Sequence, residues 1–201
     1  MSPTKSNLTR VLHLALLAIV LHQVIGSAFV ERPLPGDDPE WPFLLHVWSG
    51  VAGVQVLLAF WVWTLVRDRH ETPFSTLVPW VFPRRMIAIF AEVGDLVRDL
   101  MARRVPSFDF PAIAGVVHGL GLLLATLLAV SGSLWYFVLN GTFAGRVVLL
   151  IHELAGNLMW AYLVGHVSMA LLHHFVGEDR LMKMFWLRRG VSQNPVTATA
   201  K

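Results

Sequence analysis

Apolar and polar positions divide this chain into four long apolar stretches joined by polar connections. The stretches cover residues 11–29, 42–66, 112–138 and 147–175. Each is close to or above the about 20 residues that cross a bilayer core. Apart from histidines, each is almost free of ionisable side chains. Backbone groups in lipid must satisfy one another, so each stretch is predicted as a helix. Two connections are short. Residues 31–41 hold Pro33, Pro35, Gly36 and Pro39 and read as irregular, and residues 139–146 carry the turn dipeptide Asn140-Gly141. The connection over 67–111 is different. Pro73, Pro79 and Pro83 break its first half; then Met86, Phe90, Val93, Val97 and Leu100 recur at helical spacing, with Glu92, Asp95, Arg98, Asp99 and Arg103 between them. That pattern predicts an amphipathic helix over 84–104 lying at a membrane surface, with a docking face for a soluble redox partner as the sharper alternative.

The expected fold class is therefore all-α and integral to the membrane: a four-helix transmembrane bundle with an amphipathic interfacial helix in its long loop. One domain is expected over residues 1–190, followed by a polar tail, 191–201, read as disordered. The first span is longer than the apolar core of a signal peptide, and no small-x-small cleavage site follows it, so it is read as retained.

Composition agrees: 55% of the residues are hydrophobic and 14% charged, less charge than a soluble domain carries. The net charge of +3 would fit nucleic acid, but its distribution points elsewhere. Lys5 and Arg10 precede the first span; Arg67, Arg69, Arg84, Arg85, Arg98, Arg103 and Arg104 lie between the second and third; Arg180, Lys183, Arg188, Arg189 and Lys201 follow the fourth. The two opposite connections hold only Arg32 and Arg146. Positive charge gathers on the cytoplasmic side, which places both termini and the 67–111 loop there and gives the basic surface anionic lipid headgroups as its partner.

Cysteine is absent, which excludes disulfides, cysteine-held clusters and covalent haem attachment. The sequence shows no Gly-rich phosphate loop, no Gly-x-Ser-x-Gly and no His-Glu-x-x-His; His152-Glu153 lacks its second histidine.

The histidines carry the chemistry. His152 and His166 lie fourteen residues apart in the fourth span. Fourteen steps return nearly to the same helical face, about 21 Å further along the axis, so one helix presents one imidazole near each membrane surface. By depth, His46 matches His152 outside and His13 matches His166 inside, and each pair would clamp one haem iron between two helices. Histidines inside membrane spans are rare and default to function. Gly50 and Gly53 after His46, Gly156 after His152 and Gly165 before His166 leave room for a porphyrin face, or for close helix packing. Arg10, one turn before His13, is the inner candidate for a haem propionate; Arg146 and Arg32 are the outer ones. His118 matches the inner pair in depth and is open to three roles: propionate partner, quinone-pocket lining or substitute ligand. His22 faces away from His13, toward Gln23 or a neighbouring helix. His173 and His174 read as surface groups at the interface, a propionate partner or a proton entry point, and His70 as a solvated residue.

These residues carry a resemblance. Arg10-Val-Leu-His13, Leu45-His46-Val47-Trp48-Ser49-Gly50, Val117-His118 with Gly132 following, and above all His152-Glu153-Leu154-Ala155-Gly156-Asn157 running on through Gly165-His166 to Leu172-His173-His174 resemble the bacterial di-haem cytochrome b-561 family. The closing Leu181-Met182-Lys183-Met184 fits it too. The resemblance covers all four spans. It implies two non-covalent b haems with bis-histidine ligation, by His13 with His166 and by His46 with His152, in the bacterial inner membrane. It implies electron transfer across that membrane, commonly with ubiquinone. Two further readings come with it: a superoxide:quinone oxidoreductase, and the cytochrome b subunit of a hydrogenase- or formate dehydrogenase-like complex. Three departures stand out: the longer inner loop, the extra His22, and Arg146 six positions before His152 in place of an adjacent basic residue.

Overall fold

A computed structural model describes residues 6–33, 37–67, 73–103 and 110–175. The predicted tail 191–201, the closing basic run, His70 and Arg104 lie outside those residues. Among the described residues every regular element is helical. Four helices are long and apolar enough to cross a membrane. They are α1 (Asn7–Gly26, extended by a 3-10 turn, Ser27–Phe29), α2 (Trp41–Val66), α5 (Pro111–Leu134, extended by a π-helical turn, Trp135–Leu139) and α6 (Phe143–Phe175). Between α2 and α5 come α3 (Phe74–Leu77), a 3-10 turn (Pro79–Val81) and α4 (Pro83–Met101).

Local chemistry sets the boundaries. Ser6 caps α1, its hydroxyl accepting from the Thr9 N–H at 3.2 Å. Pro42, Pro83 and Pro111 sit in the first turns of their helices, where a missing N–H costs nothing. The prolines of the long loop thus start elements as well as interrupt the chain. α6 begins at Phe143, four residues before the predicted start at 147. Gly141 takes a positive φ of 80°, and the Thr142 hydroxyl accepts from the Gly145 N–H at 2.9 Å, so the helix is capped earlier than hydrophobicity alone suggests. α4 ends at Met101 rather than 104, because Arg103 turns into the left-handed region at φ 53°.

The four long helices form a bundle in which α1 packs on α2, α2 on α5 and α5 on α6, with α1 reaching α6. The Trp63 indole donates to Thr9 Oγ1 at 2.8 Å at one end of the α1–α2 hairpin; at the other, Gln23 Nε2 donates to the His46 carbonyl at 2.9 Å and to Ser49 Oγ at 2.8 Å. The Trp61 indole donates to Thr126 Oγ1 at 3.0 Å and ties α2 to α5. Polar bonds of this kind hold helices where lipid tails give no hydrophobic drive to associate. The shared core is Val24, Met159 and Leu163, with Val20, Leu124, Ala125, Leu128 and Tyr162 against it. Val62, Leu65, Leu150, Leu158 and Val164 point outward, as in a bundle solvated by lipid.

The long connection is fastened to the bundle. α3 lies so close to α5 that a Cβ on Gly119 would collide with the Leu77 carbonyl, and one on Gly115 with Thr76. From α4, Glu92 accepts from the N–H groups of Ala112 and Ile113, both at 2.9 Å, one on each carboxylate oxygen. It caps α5 from twenty residues away, a placement favoured by the positive end of the helix dipole. α4 leaves Ile87, Phe90, Val97 and Leu100 exposed.

Candidate functional site

The best-defined site lies where α2, α5 and α6 meet. His46, in the second turn of α2, and His152, in the third turn of α6, face each other with ring centroids 6.3 Å apart and planes at 87°. A first-row metal held by two imidazoles needs two bonds of about 2.0 Å, plus about 1.2 Å from each nitrogen to its ring centre, or about 6.4 Å in all. The observed spacing fits.

The state of the ring nitrogens fits as well. His152 Nδ1 lies 3.1 Å from the Leu128 carbonyl and 3.0 Å from Ser131 Oγ, both on α5. A carbonyl only accepts, so Nδ1 carries the proton and Nε2 keeps its lone pair, the arrangement metal-bound histidines use. His46 Nδ1 is buried with no hydrogen-bond partner among the described residues. Buried polar atoms nearly always find a partner, so this nitrogen leaves room for a group that the described residues do not supply. Among the described residues no three His, Asp or Glu side chains converge. Two facing imidazoles form a donor set for a metal that brings its remaining ligands with it, as a porphyrin iron does.

Glycine makes the geometry possible at one position in particular. A Cβ on Gly132 would lie 2.9 Å from His152 Cε1 and 3.2 Å from Nδ1, so the bare backbone of α5 is the wall against which this imidazole rests. The predicted glycines divide. Around Gly156 and Gly165 a Cβ would meet nothing within 4 Å, so those faces are open. Gly50 admits the Gln23 amide, 3.3 Å from where its Cβ would be, and Gly53 admits Ile19; these two serve the close approach of α1 to α2.

At the other histidine level of α6, the His166 ring meets His118 of α5 edge-on at 5.2 Å and stacks on Tyr162 at 5.4 Å. His118 Nδ1 lies 2.6 Å from the Ala114 carbonyl and therefore donates to it. The His118–His166 spacing is about 1 Å shorter than a metal between two imidazoles requires. His13, half-buried on α1, stands one turn beyond Thr9, at the end where Trp63 holds that helix. Arg10 is half-buried beside it, with Nε shielded from solvent. His118 and Gly132 are fourteen residues apart on α5, as are His152 and His166 on α6, and the antiparallel pair meets at both levels.

The outer candidates for anion binding have other contacts. Arg146 is exposed, its guanidinium 5.5 Å over the Phe143 ring, and Arg32 pairs with Glu153 at 3.8 Å. His22 is exposed and lines a cavity of about 600 Å³ with Phe29, Glu31, Trp41 and His46. Its neighbour Gln23 goes to α2. Sequence reasoning missed Ser131, Leu128 and Tyr162 as neighbours of the histidines; the repeated fourteen-residue interval on α5 is the signal that leads to them.

The family model for prokaryotic cytochrome b561 matches residues 5–186, nearly the whole chain and all four spans. No curated protein and no solved structure matches it. With that match and four helices long and apolar enough to cross a membrane, the chain belongs to the prokaryotic cytochrome b561 family, b-type cytochromes that bind haem and transfer electrons across the membrane.

Proposed function

We propose that this protein is a di-haem b cytochrome of the bacterial inner membrane that carries electrons to or from ubiquinone, with both termini in the cytoplasm. The observation that carries the proposal is the 6.3 Å spacing of His46 and His152 on facing helices. His46 and His152 would hold the outer haem iron, and His13 and His166 the inner one. Haem, when bound, supplies the one-electron chemistry. Around it the chain's own residues orient and shield. Gly132 and Ser131 hold the His152 ring, Gln23 fixes the His46 carbonyl through the space Gly50 leaves, and Gly156 keeps an open face. Arg10 would meet an inner propionate, and Arg146 would have to leave the Phe143 ring to meet an outer one. His118, edge-on to His166, acts as its neighbour rather than as a ligand. α4 would lay Ile87, Phe90, Val97 and Leu100 on the cytoplasmic membrane surface or on a redox partner.

Superoxide oxidation at the outer face is the weaker reading. The outer connections and the start of α6 carry Glu31, Asp37, Asp38, Glu40 and Glu153 against Arg32 and Arg146. An acidic rim lowers the local concentration of an anion rather than steering it in.

A pyridine haemochrome assay on purified protein tests the proposal. Two b haems per chain are expected, falling to one in His46→Ala and in His152→Ala. Both haems retained in His152→Ala would overturn the outer site, and a haem-free wild type would overturn the whole reading.

A further inference from the structure

We infer that Ser131 is a positioning residue that sets the donor strength of His152 and, through it, the potential of the outer haem. The inference rests on the assignment of His152 as an iron ligand. Ser131 is 4% exposed, so water does not reach its hydroxyl to stand in for it. The hydroxyl has one proton. It lies 2.6 Å from the Leu127 carbonyl and 3.3 Å from that of Leu128, and the shorter contact takes the proton. The oxygen is then left as an acceptor toward His152 Nδ1, 3.0 Å away. The Nδ1 proton is shared between two acceptors, Ser131 Oγ and the Leu128 carbonyl at 3.1 Å.

Two acceptors on one N–H draw the proton outward and leave more electron density on the ring. The opposite nitrogen becomes a stronger donor, which favours ferric over ferrous iron and lowers the potential. With Ser131 gone, the Leu128 carbonyl still fixes the tautomer. The ring therefore remains a ligand, with its donor strength reduced. The backbone of Gly132 lies beside the same ring, so close that a Cβ there would stand 2.9 Å from Cε1, and this wall limits the turning of the imidazole toward another acceptor.

The test is a redox titration of the detergent-purified holoprotein, following the wave that disappears in His46→Ala. Ser131→Ala is expected to keep two haems and to raise the reduced-to-oxidised ratio of that wave about threefold at a fixed ambient potential, a shift of about 30 mV upward at 59 mV per tenfold. Ser131→Thr keeps the hydroxyl and is expected to titrate as the wild type does. Loss of the outer haem in Ser131→Ala would overturn the inference, because it would show that the Leu128 carbonyl alone does not keep the ring a ligand. An unmoved wave in Ser131→Ala, or an equal shift in Ser131→Thr, would overturn it while leaving the ligand assignment intact. A wild type in which the His46→Ala change removes no wave would overturn the ligand assignment instead.

Discussion

Replacing Gly132 by alanine puts a methyl group where the His152 imidazole now rests. The new Cβ would stand 2.9 Å from Cε1 and 3.2 Å from Nδ1. Carbon atoms settle about 3.5–4.0 Å apart, so the near edge of the ring must retreat by about 0.6 Å or more. The ring cannot retreat into α5, because Gly132, Ser131 and the Leu128 carbonyl all belong to that helix; it must move toward His46. That motion lengthens the two Nδ1 contacts, now 3.0 and 3.1 Å, past the range of a useful hydrogen bond. At about 1 kcal/mol for each, the site loses about 2 kcal/mol, or roughly thirtyfold in haem affinity. This lies within the 10–100-fold that loss of a supporting contact to a metal ligand typically costs. The assay is transfer of haem from the membrane protein to excess apomyoglobin, followed in the Soret band. Gly132→Ala is expected to release one haem well ahead of the other, with the slow phase unchanged. A variant that releases both at wild-type rates would refute the reasoning, because it would show that α5 does not position the ring.

Two further outcomes follow from the same geometry. The imidazole planes of His46 and His152 stand at 87°; if these two rings hold a haem iron at that angle, two of its d orbitals would lie close in energy, and the oxidised haem should give a strongly anisotropic low-spin signal in electron paramagnetic resonance. An ordinary rhombic signal from that haem would show that the rings turn parallel when iron binds. Glu92→Ala removes both acceptors from the first N–H groups of α5 and should cost about 1–2 kcal/mol, as loss of a helix cap does. Limited proteolysis should then cut the α3–α4 connection faster with the haem content unchanged; an unaltered digestion pattern would mean that α4 is held by other contacts.

Much of this molecule is legible in its sequence because lipid imposes a coarse rule: a long apolar run must be a helix. The four spans follow from that rule alone, and an end shifts by a few residues where capping, not hydrophobicity, decides, as at Thr142; the amphipathic α4 likewise stops short at Arg103. The facing of His46 and His152 is legible from depth, since each lies near the start of its span, at the same end of the bundle. His118 is harder. Its depth matches that of His166 in the sequence, but no apolar pattern states that α5 and α6 are neighbours, so its edge-on contact with that ring is not legible there. Glu92 reads as one more solvated residue on the polar side of an amphipathic helix; its partners are backbone N–H groups, which every sequence possesses and none displays. Ser131 is hidden for a similar reason, as a single hydroxyl in an apolar run is common and marks nothing until a histidine is found beside it.

The fourteen-residue interval along α6 also sets an electrical scale. The levels of His152 and His166 lie about 21 Å apart, or some two-thirds of a hydrocarbon core about 30 Å thick. A charge carried across the whole core works against about 2.3 kcal/mol per 100 mV, so an electron moved between these levels works with or against about 1.6 kcal/mol per 100 mV. With a haem at each level, a membrane voltage of that size would change the partition of the electron between them by roughly fifteenfold. Two turns fewer between the histidines would halve the distance and weaken that sensitivity accordingly, so with a haem at each level the spacing would couple electron occupancy to the energisation of the membrane.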